Sequence, residues 1–236
     1  MNTGLIIARY EEDLSWLKTH GDFNLYIYNK GAELKEKEFK NIIRLKNIGR
    51  ESQTWLYHIV KNYNNLDEIN IFMQGRVDDL GCMAYKNPKL YLKKIDKYGF
   101  VASRFGMLSP FHWKYNVGIE NNKKYKKEWD RKGISRSKKG FRRFAKDLFP
   151  DIPFFVATSY GGCFAVKKEL IKNYDIDYYT YLLDILSQNK NPIEGHYLER
   201  LWCYMFSQNT HFYRAIKDVL RTKIERSLLN KFSKSV

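Results

Sequence analysis

The feature that most restricts the fold of this chain is an alternation of strand-like and helical segments in its first third. Short apolar runs occur in TGLIIARY, FNLYIYNKG and EINIFMQG, and each is followed by polar residues or by glycine. Between them, Leu14 and Leu17 are three residues apart, and Trp55, Ile59 and Tyr63 are four apart, which indicates helices. Such alternation is typical of a parallel sheet with helices on its faces. The sequence therefore predicts an α/β fold with a mainly parallel sheet flanked by helices.

The second half of the chain continues this pattern less regularly. PKLYLKKI and HYLERLWCYMF favour helices, and FVASRFG favours a strand. The stretch PFFVATSYGGCFAVKKELI favours a strand, a turn at Gly161-Gly162, a second strand and then a helix. Apolar residues four apart over 216–232 predict a C-terminal helix.

The domain organisation follows from the length of the chain and from one irregular region. Residues 115–147 are lysine-rich and lack periodicity, so we interpret them as a basic insertion loop. With 236 residues in total, we expect a single domain. Within it, a half of about 1–110 precedes the loop and a second half of about 150–236 follows it.

The charge of the chain is strongly positive. Forty-two Lys and Arg residues against 26 Asp and Glu residues give a net charge of +16. The positive charge is concentrated in residues 123–146 and again in 214–234. Such a balance attracts nucleic acid, phosphate-bearing substrates or an anionic membrane surface.

The cellular location is constrained by what the chain lacks. We find no apolar run near the roughly 20 residues that a membrane-spanning helix needs, and no signal-peptide pattern. The three cysteines, Cys82, Cys163 and Cys203, are widely spaced and odd in number, which does not indicate a disulfide framework or a zinc site. We expect a reducing, cytoplasmic compartment, with peripheral contact at the inner face of a membrane as an additional expectation.

Polar residues follow the predicted strands where a parallel sheet binds ligands. Residues 8–10 end the first strand, the acid pair 78–79 follows the strand 69–73, and residues 47–51 begin a helix. The carboxyl ends of parallel strands meet at one edge of a sheet, and a helix N-terminus favours an anion. A divalent metal that holds a diphosphate would use this mixture of acids, arginines and N–H groups. The simpler interpretation is that the acid pair forms a solvated turn.

The blocks IIARYEEDLSWL, NIGRE and IFMQGRVDD, in this order, resemble the nucleotide-binding half of GT-A-fold glycosyltransferases, in particular small bacterial, fungal and viral members. The resemblance implies a GT-A-like, Rossmann-like fold and a nucleoside-diphosphate-sugar donor bound with Mn²⁺ or Mg²⁺. It implies that Asp79 is the metal ligand and that Asp78 faces the ribose or sugar, although Val77 replaces the first acid of the usual D-x-D motif. The other implied donor-site residues are Ala8, Arg9, Tyr10, Asn47, Arg50, Gln74 and Arg76.

The second half contains the predicted acceptor side of the site. Glu194 and His196 lie just before a predicted helix, and Glu199 and Arg200 lie inside it. An inverting glycosyl transfer needs a base that takes the proton of the acceptor hydroxyl. By the resemblance, an acid at such a helix start serves as that base, so Glu194 is the candidate base and His196 is an acceptor contact or alternative base. We interpret Glu199 and Arg200 as an ion pair that holds the helix.

These predictions converge on a metal-dependent glycosyltransferase that moves a sugar to a glycan or lipid-linked acceptor in surface-polysaccharide or glycan synthesis. We expect inversion, although the sequence leaves retaining chemistry open. The alternative is a basic α/β protein that binds nucleic acid through its cations and aromatic residues, with the acid pair arguing against it. The basic C-terminal segment predicts either contact with an anionic membrane or a helix packed on the domain.

Overall fold

Six strands form one mixed sheet, and helices cover both of its faces. The computed structural model describes residues 1–34, 39, 41–77, 87–109, 133–135 and 139–207. In chain order, the described elements are β1 (Thr3–Arg9), a 3₁₀ helix (Ser15–Thr19), β2 (Asn24–Asn29), β3 (Ile42–Arg44), α1 (Arg50–Lys61), a second 3₁₀ helix (Tyr63–Asn65), β4 (Ile69–Gln74), α2 (Lys89–Tyr98), β5 (Phe100–Leu108), α3 (Phe141–Leu148), β6 (Val156–Lys167), α4 (Lys168–Ile171), α5 (Ile176–Leu186) and α6 (Ile193–Ser207).

The order of the strands brings several strand ends to one edge of the sheet. The order is β3-β2-β1-β4-β6-β5. The first four of these neighbours pair in parallel, whereas β6 is antiparallel to both β4 and β5. Arg9 pairs with Asn29, and Ala8 pairs with Gln74. The polar residues that end β1, β2 and β4 therefore lie side by side, as a parallel sheet requires.

The strands are nearly continuous apolar runs because both faces of the sheet are covered. On one face, Trp55 of α1 packs against Phe72 of β4 with ring centroids 5.3 Å apart, and Trp202 of α6 packs against Phe164 of β6 at 5.7 Å. On the other face, Tyr91 of α2 belongs to a second buried cluster. This arrangement confirms the predicted α/β fold with a mainly parallel sheet, built as a single domain.

The predicted turn at Gly161-Gly162 is wrong, because β6 continues through both glycines from Val156 to Lys167. The φ angles of these glycines are 90° and 69°, which L side chains rarely adopt. Pairing with β5 shifts here, since Ala102 pairs with Phe164 while Arg104 pairs with Tyr160. Extra residues on β6 thus form a bulge, for which glycine has the required backbone freedom. A pair of glycines with positive φ is therefore compatible with either a bulge or a turn.

Four other elements differ from the sequence predictions. The helix predicted after β1 is only the five-residue 3₁₀ helix Ser15–Thr19, and β3, which has three residues, was not predicted. All of helix α3 except its last residue lies in the range interpreted as a loop, and Phe141 and Phe144 bury one face of it. Helix α5 was also missed. The predicted C-terminal helix and residues 115–132 lie outside the described residues.

The cysteines and the helix lengths bear on the predicted compartment. Cys163 on β6 is disulfide-bonded, and Cys203 on α6 is a buried free thiol. The sequence analysis did not indicate this bond, because spacing along a sequence does not reveal which distant cysteines a fold brings together. In the described ranges, no helix is long and apolar enough to cross a bilayer.

Candidate functional site

A cavity of about 400 Å³ opens at the carboxyl ends of β1 and β4 and at the start of α1. We call it the first cavity. Its size is within the range of ligand-binding clefts. Its lining residues are Ala8, Arg9, Tyr10, Glu12, Lys30, Asn47, Arg50, Glu51, Gln74, Arg76 and Lys190. All seven predicted donor-site residues that the structure describes therefore lie around one cavity, as the strand-end argument expects. Asp78 and Asp79 lie outside the described residues.

The start of α1 has an unusual backbone where it meets this cavity. Gly49, the N-cap, has a φ of 64°, and Arg50 after it has a φ of 52°. A Cβ on Gly49 would lie 2.5 Å from the carbonyl oxygen of Leu186 and 2.4 Å from the Cβ of Gln53, so only glycine fits. The Gly49 N–H donates to the carbonyl of Asn189 at 2.9 Å. A non-glycine residue in this region is strained, and such strain is concentrated at functional sites.

Lys30, which follows β2, stabilises this unusual turn through hydrogen bonds. Its ammonium donates to the carbonyls of Ile48 at 2.7 Å and Arg50 at 2.5 Å, and to Oε1 of Gln53 at 2.7 Å. These three bonds use all three protons of the charged form. Burial lowers the pKa of Lys30 to about 7, with the charge of Glu51 acting in the opposite direction. Lys30 therefore holds the turn and adds positive charge beneath the cavity.

Arg9 has a similar supporting role at the end of β1. Its guanidinium donates to the carbonyls of Glu12 at 3.0 Å and Ala32 at 2.6 Å, and to Oδ1 of Asn29 at 2.8 Å. Only 8% of the residue is exposed. Arg9 thus ties together the loops after β1 and β2. The prediction placed it at the nucleotide site, and in the structure it lines the cavity while its donors hold the backbone of the cavity wall.

Glu51 provides partly buried negative charge at the first cavity. Its side chain is 17% exposed, and it accepts a hydrogen bond from Nε of Arg50 at 3.3 Å. Burial disfavours its charged form, but the neighbouring charges of Arg50 and His196 and its hydrogen bonds lower its pKa overall. A Cβ on Gly162 would be 3.4 Å from Cγ of Glu51 and 3.6 Å from Nε2 of Gln74. The bulge in β6 therefore brings its backbone close to the cavity floor.

The electrostatic balance of the first cavity favours an anion. Among the described residues that line it, five side chains are cationic and two are acidic. The N-terminus of α1 adds the positive end of a helix dipole. Glu12 is engaged locally, because its carboxylate accepts the N–H of Tyr10 at 2.6 Å. The cationic residues are Arg9, Lys30, Arg50, Arg76 and Lys190.

The two predicted catalytic residues lie beside this cavity and do not line it. Glu194 is in the first turn of α6 and lines a second cavity, described below. His196 lies with its Nδ1 3.9 Å from Oε2 of Glu199. The other oxygen of Glu199 accepts the N–H of Gly161 at 2.7 Å, and Arg200 approaches Glu199 at 3.7 Å. The Glu199–Arg200 ion pair is therefore confirmed, and it also anchors α6 to the bulge.

Four lining residues were absent from the predicted site: Glu12, Lys30, Glu51 and Lys190. Lys30 comes directly after β2, and Arg9 is the last residue of β1, so the same strand-end rule could have found Lys30. Glu51 lies in the helix start that the sequence analysis singled out. Lys190 had no local signal, because it comes from the connection between α5 and α6, which reaches the cavity only in the folded chain.

The described residues bear only partly on the predicted metal. Among them, no group of three or more His, Cys, Asp or Glu side chains is placed to hold a metal ion. Mg²⁺ bound with a phosphate ligand needs only one or two protein carboxylates, with phosphate oxygens completing its coordination. The predicted ligand, Asp79, is outside the described residues. Glu12 and Glu51 supply carboxylates at the cavity, which is chemically compatible with a hard cation.

A protein-family model matches most of the chain. No curated protein matches it. Residues 5–220 match the family described as "Protein of unknown function (DUF3431)". The match covers most of the chain, including every residue of the first cavity. The chain therefore belongs to the DUF3431 family.

Proposed function

We propose that this protein is a metal-dependent glycosyltransferase that uses a nucleoside-diphosphate sugar. The observation that carries the proposal is the first cavity itself. It combines parallel strand ends and a helix N-terminus, and its described lining places five cations against two acids around a volume of about 400 Å³. A diphosphate with a polar sugar matches this combination of charge and size. The resemblance of the three sequence blocks to GT-A glycosyltransferases supports the same activity.

The residues of the first cavity divide into two roles. Arg9 and Lys30 hold the loops and supply positive charge from beneath, because their donors are bonded to backbone and to Asn29 or Gln53. Arg50, Arg76 and Lys190 are the cations that would contact the diphosphate. Arginine forms forked hydrogen bonds with phosphate oxygens, and these strengthen as charge develops on the leaving diphosphate.

Asp79 would hold Mn²⁺ or Mg²⁺ against the diphosphate. Such an ion neutralises the charge that the leaving group acquires. Asp78 would face the ribose or sugar, and Ala8, Tyr10, Asn47 and Gln74 would form the remaining contacts with the donor.

The acceptor side would use the first turn of α6. The Glu194 carboxylate would take the proton of the acceptor hydroxyl while the hydroxyl oxygen bonds to the anomeric carbon. The bond from that carbon to the diphosphate breaks in the same step, and the configuration inverts. His196 would contact the acceptor or replace Glu194 as the base. The acceptor would be a glycan or a lipid-linked sugar, as in surface-polysaccharide synthesis on the cytoplasmic side of a membrane.

A thermal-shift screen tests the donor part of the proposal. Sugar nucleotides with uridine, guanosine, cytidine or thymidine would be tested with and without Mn²⁺. A donor at about 100 times its Kd adds about 2.7 kcal/mol of stability, which corresponds to a rise in Tm of roughly 5–10 °C for a domain of this size. Asp79→Ala should remove the part of the shift that depends on Mn²⁺ and retain the Tm of the unliganded protein.

Two outcomes would overturn this function. One is a complete lack of response to sugar nucleotides. The other is a response to single-stranded oligonucleotides alone, with a steep dependence on salt, which would favour the nucleic-acid-binding alternative. An unchanged Mn²⁺ response in Asp79→Ala would remove the metal role from Asp79 and leave the nucleotide site intact.

A further inference from the structure

A second cavity, of about 350 Å³, lies among helices α3, α5 and α6 and has a different chemical character. Its lining residues are Ser135, Lys139, Phe144, Asp147, Leu148, Tyr181, Ile185, Gln188, Asn189 and Glu194. None of them lines the first cavity. Among the described lining residues, Lys139 is the one cation, and it is paired with Asp147 at 2.6 Å. The described part of this lining therefore has no excess of positive charge, unlike that of the first cavity.

The walls of the second cavity combine an aromatic ring with polar groups. Tyr181 is 53% exposed, which is unusual for a large aromatic side chain. Phe144 is buried and forms the apolar floor. Glu194 and Asn189 contribute a carboxylate and an amide at the rim. A carboxylate accepts hydrogen bonds, and an amide both donates and accepts them.

This combination matches the chemistry of a saccharide. A pyranose ring has a face of C–H groups that packs on an aromatic ring, and a perimeter of hydroxyls that both donate and accept hydrogen bonds. A Tyr ring offers a large contact area at low entropic cost. A lipid chain would leave the carboxylate and amide unpaired, which is unfavourable. A polyanion would be repelled by Glu194.

The two cavities are connected through one short segment of chain. Residues 187–192 join α5 to α6. Lys190 lines the first cavity, while Gln188 and Asn189 line the second. The carbonyl of Asn189 accepts the N–H of Gly49 at 2.9 Å. In the first turn of α1, the hydroxyl of Ser52 donates to the carbonyl of Gly195 in the first turn of α6 at 3.3 Å. The first turns of α1 and α6 are thus bonded to each other.

We propose that the second cavity is the saccharide-acceptor subsite, in which Tyr181 carries the sugar ring and Glu194 and Asn189 contact its hydroxyls. This inference rests on the proposed glycosyltransferase function and names the acceptor class and its place. A saccharide there would lie next to the helix start that forms the wall of the donor cavity. The predicted base, Glu194, would then belong to the acceptor subsite.

A printed glycan array tests the proposal with the full chain, fluorescently labelled at an added N-terminal tag. Glycans that bind would then be titrated in solution by isothermal calorimetry. Tyr181→Ala should weaken the affinity for these glycans by about tenfold and leave the Tm unchanged, because the ring is half exposed. The matched control is Tyr10→Ala, since Tyr10 is also a half-exposed tyrosine, at 45%, but lines the first cavity.

We expect the two variants to have opposite effects on glycan binding and on sugar-nucleotide binding. Tyr181→Ala loses glycan affinity and keeps the thermal shift with sugar nucleotides, whereas Tyr10→Ala keeps glycan affinity and loses part of that shift. Absence of glycan binding, or equal glycan affinity in wild type and Tyr181→Ala, would overturn the acceptor subsite. Glycan binding without any response to sugar nucleotides would instead overturn the proposed function and leave a saccharide-binding protein.

Discussion

The two cavities of this protein are built from different parts of the chain. The first cavity has walls made of backbone that polar side chains hold in place, as Arg9 and Lys30 do for the loops after β1 and β2. The second cavity has walls made mostly of side chains from α3, α5 and α6, with Tyr181 and Glu194 at its rim. Substitutions of the residues that hold the backbone of the first cavity should therefore affect folding and binding together. Substitutions of Tyr181 or Glu194 in the second should affect function alone.

The largest expected effect tests the backbone of the first cavity. Gly49→Ala adds a Cβ that would lie 2.5 Å from the Leu186 carbonyl oxygen, at a φ of 64°. Steric overlap and strain of this kind each cost about 1–3 kcal/mol, so we expect a loss of about 3 kcal/mol or more in the free energy of unfolding. Urea denaturation measures it. Gly21→Ala is the matched control, because its Cβ would meet no atom within 4 Å. Equal stability of the two variants would contradict the described turn.

A change at Glu194 should show the opposite behaviour. Glu194→Gln keeps the shape of the side chain and removes its capacity as a base. We expect the rate of sugar transfer to fall at least about 100-fold, while Tm and donor affinity stay unchanged. Steady-state kinetics and calorimetry measure the two quantities. Asp177→Asn is the control, because Asp177 is an acid in the first turn of α5 and lines neither cavity. Full transfer activity in Glu194→Gln would assign the base elsewhere, with His196 the next residue to test.

The protonation state of Lys30 should make the affinity for the donor depend on pH. Because its pKa is lowered to about 7, Lys30 is charged below that pH and neutral above it, while the unfolded chain stays charged up to about 10.5. The affinity for a diphosphate should therefore fall by several-fold between pH 6 and pH 8, as the positive charge is lost. The same shift makes its contribution to folding stability rise with pH between about 7 and 10.5, because there the unfolded state binds the extra proton.

Lys30→Met separates these contributions. The variant keeps the aliphatic stem and loses both the three hydrogen bonds to the turn and the titrating charge, so the rise of stability with pH between about 7 and 10.5 should disappear in it. Its affinity for a sugar nucleotide, whose diphosphate does not titrate in this range, should no longer change between pH 6 and pH 8. Calorimetry at several pH values measures this. A pH dependence that persists in Lys30→Met would place the titrating group elsewhere.

The smallest expected effect concerns Lys190, an exposed cation of the first cavity. Lys190→Ala should weaken sugar-nucleotide affinity about three- to fivefold at low salt, and less at 0.5 M salt, because a surface charge contributes about 1 kcal/mol or less and is screened. Lys61→Ala, at the other end of α1 and outside the cavity, should have no effect. If both variants behaved alike, the cavity would owe its affinity to the general positive charge of the protein.

The parts of the fold that could be predicted are those governed by local pattern. The strands β1, β2 and β4 are continuous apolar runs, and α1 has apolar residues four apart, so their types were evident from the sequence. The bulge at Gly161-Gly162 was predicted as a turn, because glycine permits a positive φ in both structures and only the pairing of β6 with β5 distinguishes them. The apolar residues of α3 were overlooked within a lysine-rich region.

By itself, the sequence determined that polar residues follow each parallel strand and that a glycine precedes α1. Both are local facts, and they sufficed to gather Ala8, Arg9, Asn47 and Gln74 around one cavity. Only the tertiary structure decided that the connection 187–192 contributes to two cavities and that Glu194 lines the second one. The physical reason is that strand and helix types depend on neighbours in sequence, whereas the position of a connection depends on the packing of helices far apart in the chain.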